Sequence, residues 1–249
     1  MRKQLIICTD MEGASGIFEE NYKTMIHGTE QWRSEGREYM TSDVLAVCDA
    51  ANEFGIDEIL IYDGHFAGDP EYNILIEKLP SNVKLFDTPD RCFWWRRIRG
   101  QADWEPYGII TVGQHARYGE ENAYFPHTIQ SPPIKELTIN GIHIAEIGTA
   151  VLNFQVVKYI ANVWCQASMK EARELSETVA IISVKDKSKG WKPSINETYP
   201  IIKKGVLEAL RNRDNMMSVN IKEPYEFSMT LVEGFSYNVP ERISWKGNF

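Results

Sequence analysis

QLIICTDMEGASG, residues 4–16, begins as an apolar run and breaks at two carboxylates, Asp10 and Glu12. The run over Gln4–Cys8 reads as a first strand. Side chains two apart in an extended chain project to the same side, so Asp10 and Glu12 converge just past its end. Two acids crowded in this way need a cation. The same arrangement recurs outward along the chain. EILIYDGH (residues 58–65) ends in Asp63 and His65, GIITVGQH (residues 108–115) ends in His115, and HIAEIG (residues 143–148) carries Glu146.

Helical patterns separate these runs, and the alternation predicts βαβ units feeding a mainly parallel sheet with flanking helices. Thr29–Phe54 is expected to be a long helix, with Tyr39, Met40, Val44, Val47 and Ala51 at helical spacing and Gly55 ending it. Glu58–Tyr62 is the second strand, Glu71–Leu79 a short helix stopped by Pro80, Val83–Phe86 a short strand and Gly108–Val112 a further strand. Asn140–Gly141 marks a hairpin over Leu137–Ile144. Glu146–Val163 reads as helical, with Ile147, Val151, Phe154 and Val157 on one side. Ser168 and Glu171 have the spacing of a capping box opening a helix over Met169–Ser176, ahead of a strand Val179–Val184. A helix Glu197–Arg211 and a late strand Glu226–Val232 complete a smaller C-terminal α/β portion. We expect a metal-binding α/β domain over 1–165 and this smaller portion over 166–249, or one continuous domain, since no linker marks the boundary.

Composition narrows the function. A chain of 249 residues, 43% hydrophobic, holds a sizeable core. Its 27 basic and 35 acidic residues give a net charge of −8, which offers no general attraction for nucleic acid. FWWRRIRG (residues 93–100) concentrates aromatic and basic residues, but one short run in an acidic chain suits a packing or subunit contact better than a nucleic-acid face. No apolar segment approaches the length of a membrane span or a signal-peptide core, so the expected location is cytoplasmic, with no membrane partner. The four cysteines form no CxxC pair. There is no P-loop continuation after Gly13–Gly16 and no GxSxG elbow, which disfavours phosphate-loop and serine-hydrolase chemistry.

Ligands of open α/β sheets gather beyond the carboxyl ends of the strands, where each of these residues falls. Singly, Asp63 reads as a cap, and His65 or His115 as a hydrogen-bonded core histidine. Together they read as a metal site. Mixed imidazole and carboxylate donors suit zinc, with manganese or cobalt as alternatives. Two ions bridged by a carboxylate polarise a carbonyl and generate a nucleophile near neutral pH, and Asp10 is the natural bridge. In NAYFPHTI, His127 reads as an ordinary loop histidine, while Asn122, Arg117 and Tyr118 fit substrate positioning and a solvated loop equally well.

TDMEGASG, WRSEGREYMTSDVLAVCDAA, YDGH, GQHAR, PHTI and INGIHIAEIG, in that order through about the first 160 residues, make the chain resemble the zinc-dependent D-aminopeptidases of the DppA type, peptidase family M55. The resemblance implies two zinc ions sharing Asp10, with Glu12 and His65 completing one site and His115 and Glu146 the other. It also implies a catalytic role for His127 and a supporting role for Asp63 in orienting His65. It further implies release of N-terminal D-residues from short peptides by a homo-oligomer, drawn in the family as a decamer of stacked pentameric rings. The family's Gly-Asp-Asp stretch has no counterpart in VVKYIANVWCQASMKEA (residues 156–172). Beside the peptidase stand a metal-dependent amidase acting on a specialised non-peptide metabolite, and a catalytically silent metal-binding or assembly protein.

Overall fold

Every residue of Leu5–Cys8 is fully buried, which only a strand covered on both faces can achieve. In the computed structural model, which describes residues 2–68, 71–86, 104–129, 133–152, 154 and 157–236, this strand is β1, Arg2–Thr9. It lies inside a six-stranded sheet with β2 (Glu58–Asp63), β3 (Val83–Leu85), β4 (Trp104–Val112), β7 (Tyr159–Cys165) and β8 (Ala180–Lys185). The order is β3-β2-β1-β4-β7-β8 and the neighbouring strands pair in parallel. Strands on both sides of residue 165 therefore belong to one sheet. A small antiparallel sheet joins β5 (Ile134–Ile139) to β6 (Ile142–His143) and to β9 (Phe227–Leu231).

Among the described residues four α-helices accompany these strands: α1 (Arg37–Phe54), α2 (Glu146–Leu152), α3 (Met169–Leu175) and α4 (Ile195–Arg211). Alternate residues of β1 feed two cores. Leu5 and Ile7 pack with Val44 and Val47 of α1 and Val206 and Leu210 of α4, whereas Ile6 and Cys8 pack with Ala150 of α2, Phe154 and Val157. Cys8, Cys48 and Cys165 are buried free thiols. No helix among the described residues is long and apolar enough to cross a membrane.

The long first helix is present, opened by a π-helical turn at Trp32–Gly36 and ended at Gly55, whose φ of 91° is the left-handed cap a glycine supplies. The Asn140–Gly141 turn also forms, with both residues at positive φ. Three expectations fail for identifiable reasons. The helix expected over Glu71–Leu79 is only a 3-10 turn at Ile76–Lys78, because Asn73 and Leu75 donate their backbone N–H groups to side chains, Asp63 Oδ2 at 2.7 Å and Thr41 Oγ1 at 2.9 Å. The helix expected through Val163 stops at Leu152, and Tyr159–Cys165 is a strand buried along its whole length. The Ser168–Glu171 box does not form. Ser168 donates instead to Cys165 O at 2.9 Å, and Glu171 accepts the Arg117 backbone N–H at 3.1 Å. A capping box does open α4, where Ser194 and Glu197 satisfy each other's backbone. The FWWRRIRG segment and Cys92 lie outside the described residues.

Candidate metal centre

After β3 the chain returns to the other side of β1 to lay down β4, so the sheet's direction of winding reverses between β1 and β4. A crevice opens at such a reversal, beyond the carboxyl ends of the strands. Asp10 and Glu12 leave β1 at that point and His115 leaves β4. The two strand ends are tied by Asp10 N–H donating to Val112 O at 2.9 Å, Gly13 N–H to Gly113 O at 2.7 Å, and Gln114 Nε2 to Cys8 O at 2.9 Å. Gly113 cannot be replaced, since a Cβ there would lie 2.0 Å from Asp10 O at a φ of +78°. His65 follows β2 and Glu146 is the first residue of α2.

These elements deliver Asp10, Glu12, His65, His115, His127 and Glu146 to one cavity of about 590 Å³. One ligand atom from each of Asp10, Glu12 and His65 falls within a 4.8 Å cluster. Asp10 faces two ways: its Oδ1 is 3.0 Å from His65 Nδ1, and its Oδ2 is 3.7 Å from His115 Nε2, which is also 3.7 Å from Glu146 Oε2. Glu12 Oε2 lies 3.2 Å from His65 Nδ1, yet it is off the line of a hydrogen bond and, among the described residues, remains a buried oxygen with no donor. Among the described residues the far nitrogen of His65 is held by Met25 O at 2.7 Å. Asp63 sits behind the cavity. It binds Asn73 through Oδ1 and Oδ2, and Asn73 Nδ2 in turn donates to His65 O at 2.7 Å, so this contact reaches the histidine main chain rather than its ring. Asn122 is exposed, donates its backbone N–H to Glu120 Oε1 and does not line the cavity.

Burial, with Glu12 and Glu146 adding, pushes the Asp10 carboxyl up to about 8. Burial also works to raise Glu12, but the charge of His65 beside it outweighs this and holds Glu12 well below the usual range. Burial opposes charge on both ligand-like histidines. Even so, Glu12 and Asp10 raise His65 well above its ordinary value, and Glu146 with Asp10 raises His115 to about 10. Deprotonated carboxylates with neutral imidazoles are what a metal ion needs, so binding one here would release these protons. The donor set of three carboxylates and two imidazoles, with one buried carboxylate oxygen unsatisfied, fits zinc.

His127 is of a different kind. Its ring stacks on His115 with centroids 3.5 Å apart, and its Nδ1 is 2.9 Å from Phe125 O. Burial, and then the His115 charge, lower its pKa, which favours the neutral imidazole. With Nδ1–H donated to that carbonyl, the lone pair sits on Nε2.

Beneath the loop that carries Glu12 lies Lys185, fully buried at the end of β8. Its Nζ donates to Glu12 O at 2.8 Å, Ala14 O at 2.9 Å and Ile17 O at 2.7 Å. Burial lowers it to about 8, but three acceptors require all three protons of an ammonium. Lys185, Asn73 and the Met25 carbonyl escape a reading built on ligand spacing. Only Lys185 leaves a trace, as a charged residue closing the apolar run AIISVK.

The family model described as D-aminopeptidase, peptidase M55, matches residues 3–236. No curated protein matches the chain. Among solved structures, the fold resembles that of the Zn-dependent D-aminopeptidase DppA from Bacillus subtilis, described as a self-compartmentalizing protease. The TM-score is 0.77 at 22% identity, over 92% of this chain and 82% of that one.

Proposed function

The chain belongs to the D-aminopeptidase family, peptidase M55, and from that premise we propose that it is a dinuclear zinc aminopeptidase releasing N-terminal D-residues from short peptides. The observation that carries the reading is the two-sided Asp10, one oxygen turned to His65 and the other to His115. Asp10 would be shared, with Glu12 and His65 holding one ion and His115 and Glu146 the other. Zinc bound there supplies Lewis acidity that polarises the scissile carbonyl and makes water acidic enough to act as a nucleophile near neutral pH. His127 takes up the proton released at Nε2 and returns it to the departing amine, its tautomer set by Phe125 O. Met25 O keeps the His65 ring aligned from behind. A homo-oligomeric assembly is part of the same reading, supported by the description of the DppA structure as self-compartmentalizing.

Removal of zinc tests the premise. Dialysis against a chelator is expected to abolish hydrolysis of D-alanyl-p-nitroanilide, and added zinc to restore it. Hydrolysis that continues with no metal bound would sink the proposal. His127→Ala is expected to keep zinc near the wild-type content while lowering kcat by roughly 10²-fold or more. Undiminished turnover would remove His127 from the chemistry.

A further inference from the structure

Four non-glycine residues among those described have positive φ: Phe66 at 47°, Phe125 at 53°, Ile129 at 55° and Asn140 at 51°. Asn140 is in the hairpin turn, where asparagine holds that conformation readily. The other three are bulky and apolar, one of them β-branched, and such side chains rarely occupy the left-handed region. All three line the cavity that holds Asp10 and His127. Had only the turn mattered, glycine would serve at each position. Large apolar side chains held there against backbone preference indicate that the side chains themselves are required.

Met25 and Ile26 line the same cavity, so its polar residues stand beside an apolar wall. Phe66 is 62% exposed and packs edge-on against His65, with ring centroids 4.7 Å apart. Phe125 and Ile129 flank His127 in sequence, and the segment is pinned where the His127 backbone N–H donates to Ala116 O at 3.0 Å. An aminopeptidase encloses the N-terminal residue and lets the rest of the peptide run out to solvent. We propose that Phe66, Phe125, Ile129, Met25 and Ile26 form the subsite for a bulky aliphatic or aromatic side chain on the N-terminal residue. This rests on the aminopeptidase reading and names the substrate class within it. A cavity of about 590 Å³ has room for such a side chain beside the reacting amide.

The test uses the zinc-loaded full chain and alanyl, leucyl and phenylalanyl p-nitroanilides of both hands. In the preferred hand, leucyl and phenylalanyl substrates are expected to exceed alanyl in kcat/KM by about tenfold or more. Ile129→Asn puts a polar residue where the backbone is left-handed, a conformation asparagine tolerates. It should bring the leucyl-to-alanyl ratio toward one without lowering the melting temperature. Phe66→Ala should lower the phenylalanyl-to-alanyl ratio. A wild-type preference for alanyl, or ratios that both variants leave unchanged, would overturn the subsite. Calorimetric binding of leucine and alanine hydroxamates to the same protein separates the two layers of the inference. Tighter leucine hydroxamate binding with no turnover of any substrate would leave the subsite standing and remove the peptidase reading. Equal binding of the two hydroxamates would remove the subsite.

Discussion

On the proposed dinuclear reading, Asp10→Asn is expected to lower turnover by roughly 10³-fold and to reduce bound zinc from about two equivalents to one or fewer, while making the metal-free protein more stable at neutral pH. The first effect follows from charge. A shared carboxylate contributes to both ions at once, and an amide has the shape without the charge. The second effect follows from the crowding in the metal-free pocket. Asp10 is fully enclosed, with Glu12 and Glu146 beside it, and its carboxyl is pushed from 3.8 up to about 8. A carboxyl raised on folding favours the native state fully only below its unfolded pKa, and that contribution is lost as pH rises through the folded value. Metal-free wild type should therefore lose stability between about pH 4 and pH 8. The asparagine variant should lack that slope, because its Oδ1 can still accept from Met11 N–H at 2.9 Å and from His65 Nδ1 at 3.0 Å. At pH 7 the difference is on the order of 4 kcal/mol. Melting curves with and without zinc, alongside metal analysis, check both halves. A variant that retains both zinc ions and turnover within about tenfold of wild type would refute the bridging role.

How far the sequence reveals this site depends on which interactions have a residue signature. Strand ends do. Leu5–Cys8, Ile59–Ile61 and, but for Thr111, Ile109–Val112 are apolar runs, and the polar residues that follow them meet in one crevice because a parallel sheet aligns its carboxyl ends. Strand β7 lacks that clarity. A strand buried on both faces shows no alternation, and Ile147, Val151, Phe154 and Val157 continue a helical spacing straight through the true end of α2 at Leu152. The segment before β3 misleads for another reason: its helix is lost to Asn73 and Asp63, a pairing ten residues apart that only the folded chain brings together. Backbone contributions are the least visible. The carbonyl that holds the far nitrogen of His65 comes from Met25, and a carbonyl has no letter of its own. Asn122 is the opposite case, a polar residue close in sequence to His127 that is exposed and outside the lining of the cavity.

Lys185→Met should destabilise the metal-free protein by about 3 kcal/mol and lower its melting temperature by roughly 6–12 °C. Methionine keeps the length and apolar stem of lysine but supplies no donor. The carbonyls of Glu12, Ala14 and Ile17 would then lose the ammonium that meets them at 2.7–2.9 Å in a fully buried position. Relief of the lysine's own burial, which lowers its pKa to about 8, offsets part of the loss. The offset is incomplete because Asp43 is also fully buried, with one oxygen accepting from Ser15 N–H at 2.8 Å and the other, among the described residues, without a donor, and the lysine charge eases its own. Arginine should not rescue the fold. Its planar guanidinium spreads its donors over three nitrogens and cannot direct three from a single atom into one loop. The loop that relaxes carries Glu12, so zinc affinity should fall by about 10–100-fold, the scale seen when the support of a ligand is removed. A methionine variant melting within about 2 °C of wild type, with zinc affinity unchanged, would mean that the Glu12 loop holds its shape without the buried ammonium.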